Sequence, residues 1–255
     1  MSLVGKLSGL KAIVTGASQG IGETIAKTFA REGSSVAIIG RNLENGKRVA
    51  SEIEQMGCTA MAIQADVTHR NEVTEMVRTV IDRWGAVDIL VNNAGGYKDF
   101  LPFVEVSEED WDQTIALNLK SVFLCSQAVA KNMMERRRGR IVSIGAIAAM
   151  GFHPYSPTYP PYVAAKAGVV GLTKHLAKEL GPYGITVNAV SPGTTLTPRI
   201  EKLHAGKLAK IAEMNPMGCI LQTRDCAEAV LFLASEEARY ITGVNLNVNA
   251  GLLMA

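Results

Sequence analysis

Apolar and polar positions alternate in blocks along the whole chain, with short β-branched runs separated by longer stretches of helical spacing. The short runs predict seven strands, at Ala12–Thr15, Ser35–Ile39, Ala60–Gln64, Asp88–Val91, Arg140–Ile144, Thr186–Val190 and Val244–Val248. The longer stretches predict six helices, near Gly20–Glu32, Leu43–Met56, Asn71–Trp84, Glu108–Met134, Tyr162–Leu180 and Arg224–Ala234. Alternating strands and helices form a parallel sheet, and strands this apolar are covered on both faces. We therefore expect an α/β, doubly wound parallel sheet of about seven strands with helices on both faces.

A glycine-rich turn joins the first predicted strand to the first predicted helix. Its sequence, Thr-Gly-Ala-Ser-Gln-Gly-Ile-Gly, spans Thr15–Gly22. A strand that turns through glycines into a helix places backbone N–H groups and the positive helix end against phosphates. Because the sequence predicts both the strand before the turn and the helix after it, the turn indicates a dinucleotide-binding site. The residues of this turn expected to contact the cofactor are Gly16, Ser18, Gln19, Gly20, Ile21 and Gly22.

Tyr162 and Lys166 form the only Tyr-x-x-x-Lys in a chain with six tyrosines. Four residues apart on a helix, the two side chains share a face. A lysine cation beside a phenol lowers the pKa of the phenol, so it can exchange a proton near neutrality. The pair suits proton donation to a carbonyl oxygen or proton removal from an alcohol, although the same spacing also occurs on solvated helix faces.

With these two motifs established, the chain resembles the short-chain dehydrogenase/reductase family over essentially its whole length. Thr15–Gly22 matches the Thr-Gly-x-x-x-Gly-x-Gly loop of that family, and Asn92–Gly95 matches its Asn-Asn-Ala-Gly motif. Asn118 stands where the family keeps a catalytic asparagine. The segment Ser191–Gly193, followed by Thr197, is similar to the Pro-Gly segment that borders the nicotinamide.

The resemblance implies a Rossmann-like enzyme that passes hydride between a nicotinamide cofactor and a carbonyl or alcohol. It implies that Tyr162 is the acid/base, that Lys166 tunes Tyr162 and holds the nicotinamide ribose, and that Asn118 orders a water leading to solvent. The further cofactor contacts that it implies are Asp66, Val67, Asn93, Ala94, Gly95, Pro192, Gly193, Thr195 and Thr197. Enoyl reduction is less expected, because enoyl-reducing relatives usually space their Tyr and Lys more widely.

The chain departs from the family at Ala146, which aligns with the serine that normally hydrogen-bonds the substrate oxygen. Alanine neither donates nor accepts a side-chain hydrogen bond, so the oxygen loses one expected partner. Ser143 is three residues earlier on the strand and should point to the opposite face. Three residues of the following proline-rich loop are candidates to return a hydroxyl: Ser156, Thr158 and Tyr159.

Because Ala146 stands in place of the usual serine, two interpretations other than an active reductase stay open. One is a catalytically impaired relative, or a variant engineered to be inactive. Another is a protein that binds the dinucleotide as a sensor. Tyr159 also competes with Tyr162 for the catalytic role, but Val163 rather than a lysine follows it four residues later.

The end of the second predicted strand indicates which cofactor is bound. A carboxylate there would bond the ribose hydroxyls of NAD and repel a 2′-phosphate. This chain has Gly40, Arg41 and Asn42 instead, and the guanidinium of Arg41 offers a fork for a phosphate. NADP(H) is therefore favoured, with NAD(H) as the alternative.

Bulk composition excludes several other classes of protein. With 255 residues and 47% hydrophobic residues, the chain can bury a substantial core, and we expect one domain over residues 1–255. A net charge of +2 gives no reason to expect nucleic acid or an anionic membrane as a partner. The four cysteines and four histidines lack ligand spacing, so no metal site is expected. Without a signal sequence or an apolar run long enough to span a bilayer, the expected location is cytoplasmic.

Two further expectations concern the substrate and the assembly. Residues 194–216 follow the nicotinamide segment and mix leucines with polar groups, so they are expected to form a lid over a small carbonyl or alcohol substrate. In relatives, the helices that correspond to Glu108–Met134 and Tyr162–Leu180 pack against their copies. The resemblance therefore implies a homo-oligomer, a tetramer.

Overall fold

The computed structural model describes residues 5–97, 101–150, 159–203 and 206–254. The strands are β1 Lys11–Thr15, β2 Ser35–Gly40, β3 Ala60–Gln64, β4 Ile89–Asn92, β5 Gly139–Ile144, β6 Ile185–Pro192, β7 Thr195–Leu196, β8 Leu221–Gln222 and β9 Asn245–Val248. The α-helices are α1 Gly20–Arg31, α2 Leu43–Gln55, α3 Arg70–Trp84, α4 Glu108–Ile115, α5 Ser121–Arg136, α6 Pro160–Leu180, α7 Pro198–Leu203, α8 Leu208–Met214 and α9 Thr223–Ala234. None of the described helices is both long enough and apolar enough to cross a lipid bilayer.

Seven of the strands form one parallel sheet in the order β3-β2-β1-β4-β5-β6-β9. In its centre, Val14 of β1 pairs with Ile38 of β2 on one side and with Val91 of β4 on the other. The chain adds β2 and β3 on one side of β1 and then returns to add β4 on the opposite side. The predicted seven-stranded, doubly wound α/β fold is confirmed, and the reversal between β1 and β4 creates the switch point at which such folds bind ligands.

The sheet is covered on both faces, so successive strand residues enter different cores. Val14 packs into a core with α1, α2 and α9, whereas its neighbour Ile13 packs into a core with α3, α5 and α6. Both side chains are fully buried. This burial on both faces explains why the strands read as unbroken apolar runs rather than alternating ones.

The single helix predicted over Glu108–Met134 is interrupted. Helix α4 ends at Ile115, a π-helical turn spans Ala116–Lys120, and α5 begins at Ser121. Inside that turn the side chain of Asn118 donates to the carbonyl oxygen of Thr114 at 2.9 Å, a carbonyl that an α-helix would give to a backbone N–H. This competition widens the helix locally, as π-turns at functional sites do.

The stretch predicted as a lid, residues 194–216, contains β7, α7 and α8, with residues 204 and 205 outside the described part. Strand β7 pairs with β8, so Thr195 lies opposite Leu221. This short two-stranded ribbon anchors the start of the stretch beside the main sheet.

Candidate active site

A cleft of about 470 Å³ runs along the carboxyl ends of the parallel strands and crosses the switch point. Residues that follow β1, β2, β3 and β4 line it, together with residues from α6 and α7. The predicted site residues that line this cleft are Gly16, Ser18, Gln19, Gly20, Ile21, Gly22, Arg41, Asp66, Val67, Asn93, Ala94, Gly95, Tyr162, Lys166 and Thr197. The fold thus gathers motifs from six separate stretches of the sequence at one edge of the sheet.

Asn93 fixes the glycine turn to the end of β4. Its Nδ2 donates to the carbonyl oxygens of Thr15 and Gly16, at 2.9 and 3.0 Å. The Thr15 hydroxyl oxygen accepts the backbone N–H groups of Asn93 and Ala94, at 3.0 and 3.1 Å. A Cβ on Gly16 would lie 2.9 Å from the Ala94 Cα, and one on Gly22 would lie 2.4 Å from Asn93 Nδ2. The turn and the Asn-Asn-Ala-Gly motif therefore fit together only with glycine at these positions.

Helix α1 begins at the cleft without a side-chain cap. Gln19, the residue before it, is extended, and its side chain makes no capping hydrogen bond. The backbone N–H groups of the first turn therefore meet the cleft together with the positive end of the helix dipole. A Cβ on Gly20 would be in ordinary van der Waals contact with the Thr197 side chain, at 3.5 Å, so Thr197 borders the turn. This arrangement fits the pyrophosphate of a dinucleotide.

Arg48 of α2 contacts the glycine turn and two glutamates. Its guanidinium donates to Glu23 at 2.8 Å, to Glu52 at 2.7 Å and to the carbonyl oxygen of Ser18 at 3.3 Å. Burial alone would raise the pKa of Glu23, but the hydrogen bonds from Arg48 and Lys27 hold it below its ordinary value. This network ties α1 to α2 and gives Arg48 a structural role.

The end of β2 has the features expected of an NADP(H) site. No carboxylate stands there: a Cβ on Gly40 would lie 3.2 Å from the Ser18 hydroxyl oxygen, and the next residue is the exposed Arg41. Asn42 caps α2, its side chain accepting the backbone N–H of Asn45 at 2.9 Å. The Arg41 cation, the Ser18 hydroxyl and the Asn42 amide surround Gly40, which has no side chain. Such groups suit a 2′-phosphate, so this end of the cleft favours NADP(H) over NAD(H).

Asp66 lies two residues after the end of β3 and lines the cleft. Its Oδ1 accepts the backbone N–H and the hydroxyl of Thr68, at 2.9 and 2.7 Å. Burial would raise the pKa of Asp66, but these hydrogen bonds and the neighbouring His69 and Arg41 side chains lower it. The carboxylate is therefore ionised at neutral pH and fixed in orientation.

Tyr162 and Lys166 lie one turn apart on α6 and both face the cleft. The Lys166 ammonium is 5.6 Å from the Tyr162 ring centroid and donates to the carbonyl oxygen of Ile144 at 2.6 Å. Burial lowers the pKa of Lys166 to about 8. Burial also raises the pKa of Tyr162, and the neighbouring Tyr97 adds to the increase. The expected lowering of the Tyr162 pKa by Lys166 is wrong for the cofactor-free protein, because the ammonium bonds a strand carbonyl and burial dominates.

Asn118 is fully buried beneath the loop that follows β4. Its Oδ1 accepts the N–H of Gly96 at 2.8 Å, and its Nδ2 donates to the carbonyl oxygen of Gly96 at 2.7 Å. A Cβ on Gly95 would lie 2.8 Å from Asn118 Oδ1 and 3.3 Å from Lys166 Nζ. Asn118 therefore holds this loop directly against Lys166. Because both amide hydrogens are already used, a water at Asn118 would have to donate to Oδ1.

The comparisons with known proteins agree with this geometry. The sequence model of a family described as enoyl-(acyl carrier protein) reductase matches residues 16–253. A 3-oxoacyl-[acyl-carrier-protein] reductase FabG of Staphylococcus epidermidis (strain ATCC 35984) is 43% identical over 245 residues, which are 95% of this chain and 98% of that protein. The chain belongs to the short-chain dehydrogenase/reductase family. It is accordingly an oxidoreductase.

Solved structures show the same fold for this short-chain dehydrogenase/reductase. The structure titled "Crystal structure of gox2181" has a TM-score of 0.92 at 32% identity and covers 97% of both chains. Another, titled as ribose-5-phosphate isomerase from Brucella melitensis 16M, has a TM-score of 0.89 at 40% identity, covering 98% of this chain and 94% of that one. Since one similar structure is named as an isomerase and the Staphylococcus relative as a reductase, the substrate has to be argued from the site itself.

Ala146 follows β5 in this short-chain dehydrogenase/reductase and is largely buried. Ser143 is buried on the α5 side, where the Asn92 amide donates to its hydroxyl oxygen at 3.3 Å and to that of Ser126 at 3.1 Å. Neither Ser143 nor Ala146 lines the cleft or the neighbouring cavity described below. Because its hydroxyl is engaged with Asn92 on the α5 side, Ser143 does not replace the missing serine.

Tyr159 is the only one of the three candidate loop hydroxyls that lies within the described residues; Ser156 and Thr158 lie outside them. Its ring is buried and lies 6.0 Å from the Tyr97 ring, which in turn lies 4.9 Å from the Tyr162 ring. Tyr159 thus stands one aromatic ring away from Tyr162 and stays a candidate source of the hydroxyl.

Pro192, Gly193 and Thr195, predicted as cofactor contacts, do not line the cleft. Thr195 is buried and its hydroxyl donates to the Gly193 carbonyl oxygen at 3.1 Å, which fixes the start of the lid stretch instead. The structure also adds residues that motif matching missed: Gly96, Tyr97, Leu117 and Arg199. Tyr97 was detectable as an aromatic residue two positions after the Asn-Asn-Ala-Gly motif.

The lowered pKa of Lys166 predicts how the stability of the fold depends on pH. Its pKa is about 8 in the folded protein and about 10.4 in an unfolded chain. Between these values the unfolded chain binds a proton that the folded chain does not, so the free energy of unfolding rises with pH. We expect Lys166→Met to remove an increase on the order of 1–3 kcal/mol between about pH 7.5 and 9.5 in the cofactor-free protein. Urea unfolding at a series of pH values measures it.

The matched control is Lys174→Met, which removes an exposed lysine from the same helix. It should follow the wild-type pH dependence. If the stability difference between wild type and Lys166→Met stays constant over this window, the buried lysine is not what makes stability depend on pH.

Proposed function

We propose that this protein is an NADP(H)-dependent oxidoreductase that interconverts a small carbonyl compound and an alcohol. The supporting observation is that Tyr162 and Lys166 line the same cleft as the uncapped start of α1. When bound in this cleft, the nicotinamide cofactor supplies the hydride for reduction or accepts it in oxidation. The chain itself has to bind the cofactor, orient the carbonyl and move one proton.

Tyr162 is the residue proposed to move that proton. In reduction its phenol donates to the carbonyl oxygen, and the raised pKa of Tyr162 keeps the phenol protonated at neutral pH, as a donor must be. Lys166, only 3% exposed, supplies a nearby cation that stabilises the phenolate left after donation. In this proposal Lys166 also holds the nicotinamide ribose, and Asn118 holds the loop that packs against Lys166.

The direct test follows NADPH oxidation with carbonyl compounds. A neutral 3-oxoacyl thioester of N-acetylcysteamine belongs in the panel, because the Staphylococcus relative is named for reducing 3-oxoacyl groups. We expect consumption of NADPH with formation of an equimolar amount of alcohol. NADPH binding without turnover on any aldehyde, ketone or alcohol would instead favour a dinucleotide sensor or an impaired enzyme, the alternatives that Ala146 supports.

The cofactor preference is tested at Arg41. We expect Arg41→Ala to raise the Kd of NADPH by about 10–10²-fold, because the 2′-phosphate loses a charge-assisted pair, and to leave the Kd of NADH nearly unchanged. Cofactor fluorescence titration measures both constants. Lys47→Ala is the matched control, since Lys47 is exposed on α2, pairs with Glu44 and lines neither the cleft nor the cavity next to it. Equal affinities of the wild type for NADPH and NADH would contradict the assignment.

The whole chain is proposed to form one dinucleotide-binding and catalytic domain, with residues 194–216 covering the substrate. Two observations support the lid: Thr197 and Arg199 reach the cofactor cleft, and Lys202 and Leu203 line the cavity next to it. The stretch therefore borders both places at which the reactants are proposed to meet.

The assembly is proposed to be a homotetramer in the cytoplasm. Trp111 on α4 and Phe123 on α5 are 41% and 40% exposed, large apolar groups on the helices that relatives use for self-association. Cys58, Cys125, Cys219 and Cys226 are all free thiols, as is usual in a reducing compartment. Light scattering on the purified chain is expected to give four times the mass of the 27.3 kDa chain, and a monomer at micromolar concentration would defeat the expectation.

A further inference from the structure

A second cavity of about 970 Å³ adjoins the cofactor cleft on the side of Tyr97 and Tyr159. Arg199, from α7, lines both the cleft and this cavity. Its guanidinium carbon lies 5.2 Å from the Tyr97 ring centroid, and the Tyr97 ring lies 4.9 Å from the Tyr162 ring. A permanent cation is therefore held one aromatic ring away from the proposed proton donor.

The position of Arg199 is defined by its neighbours. Arg199 is exposed, and its guanidinium makes a cation–π contact with the Tyr97 ring. A Cβ on Gly96 would lie 3.2 Å from Arg199 Nη1, so the side chain crosses this glycine closely. Among the described residues the Arg199 guanidinium makes no hydrogen bond or ion pair with a protein acceptor, so its N–H groups are available to a ligand in the cavity.

No protein carboxylate neutralises Arg199 among the residues that the structure describes. The acidic residues that line the cavity are Asp66 and Asp110. Asp66 accepts two hydrogen bonds from Thr68, and Asp110 accepts one from the hydroxyl of Ser107 at 2.7 Å. Lys202, one turn further along α7, adds a second cation to the same wall. The neutral donors Thr68 and Ser107 do not cancel the two carboxylate charges, but the three cations Arg41, Arg199 and Lys202 outnumber the two carboxylates, so the described lining of the cavity next to Tyr162 carries a net positive charge.

We propose that Arg199 binds an oxyanion group of the substrate, so that the preferred substrates are small ketones or aldehydes carrying a carboxylate or phosphate near the carbonyl. This inference rests on the proposed reductase function. Two parallel N–H groups of a guanidinium match the two oxygens of either anion, and this pairing is stronger than a neutral hydrogen bond. Fixing the anion at Arg199 would orient a short substrate with its carbonyl toward Tyr162, which offsets part of the positioning that Ala146 does not supply.

The competing interpretation is that Arg199 contacts the cofactor, whose cleft it also lines. The experiment separates the two by measuring substrate and cofactor independently. Wild type, Arg199→Gln and the control Lys210→Gln are compared; Lys210 is an exposed cation on α8 that lines neither cavity. The probes are two matched pairs, 3-oxobutanoate with its methyl ester and dihydroxyacetone phosphate with dihydroxyacetone.

In wild type we expect kcat/KM to be higher for the anionic member of at least one pair, and which pair it is distinguishes carboxylate from phosphate. Arg199→Gln should lower kcat/KM for that anion by about 10–10²-fold and leave the neutral partner and the Kd of NADPH nearly unchanged. Lys210→Gln should behave as wild type. Equal kcat/KM for charged and neutral partners would overturn the inference, and so would a parallel loss on both together with weaker NADPH binding.

A binding measurement keeps this test independent of turnover. The complex with NADP⁺ cannot reduce a ketone, so calorimetric titration of that complex with 3-oxobutanoate and with dihydroxyacetone phosphate reports recognition alone. Binding that Arg199→Gln weakens, without any reduction by the NADPH complex, would refute the reductase function and keep the oxyanion site. No binding of either anion by the wild-type complex would refute the site.

Discussion

Replacing Tyr162 with phenylalanine is expected to lower kcat/KM for carbonyl reduction by about 10²–10⁴-fold, the range of general acid–base catalysis. The substitution keeps the ring that lies 4.9 Å from Tyr97 and removes only the oxygen that carries the proton. The glycine turn and Arg41 are unchanged, so NADPH should bind as in wild type. Initial rates of NADPH oxidation and a fluorescence titration with NADPH measure the two quantities.

Tyr183→Phe is the matched control, because Tyr183 lies beyond the end of α6 and lines neither cavity. It should keep wild-type activity. If Tyr162→Phe also keeps full activity, another group carries the proton, and the buried Tyr159 becomes the first alternative.

The fold was predictable from the sequence because its determinants are local and repeated. Burial of the sheet on both faces makes each strand a continuous apolar run, as in Ile13 and Val14, which enter opposite cores. The grouping of the motifs at one edge follows from parallel strands alone. The predicted seven strands and their helices therefore appear in the structure, with ends that differ by no more than two residues, except that the helix predicted over Glu108–Met134 is interrupted.

What the sequence did not predict depends on contacts between distant residues. The π-helical turn arises because the Asn118 side chain takes the carbonyl oxygen of Thr114 while also holding Gly96, a contact that no periodicity encodes. The direction in which the Tyr162 pKa shifts depends on burial and on which oxygen accepts the hydrogen bond from the Lys166 ammonium. The spacing of residues along one helix predicts neither the π-helical turn nor the direction of this pKa shift.

Arg199 illustrates the same limit for the substrate side. In the sequence it is one cation among many in a lid of mixed composition. Its position above Tyr97 becomes visible only when α7 is folded back over the loop that follows β4. Pocket chemistry is built by loops from different parts of the chain, so family motifs at strand ends leave it undetermined.

Ala146→Ser is expected to raise turnover by as much as roughly 10²–10³-fold, the order lost when one donor to a developing oxyanion is deleted. The side chain at this position follows β5 and is 8% exposed, so a serine hydroxyl would act in surroundings with little competing water. Ser143, which lies on the α5 side and accepts from Asn92, cannot supply the missing donor. The measurement is kcat for NADPH-dependent reduction of a single carbonyl substrate by wild type and variant.

The companion variant Tyr159→Phe decides what an unchanged rate would mean. If the Tyr159 hydroxyl already donates to the substrate oxygen, Ala146→Ser should do little, whereas Tyr159→Phe should lower kcat steeply. Tyr159→Phe keeps the ring contact with Tyr97, 6.0 Å between centroids, so a loss would report the hydroxyl rather than packing. A dinucleotide sensor predicts a third pattern, in which NADPH binds and neither variant turns over any carbonyl. An unchanged kcat in both variants of an active enzyme would show that neither hydroxyl matters, and the oxygen would then be held by Tyr162 alone.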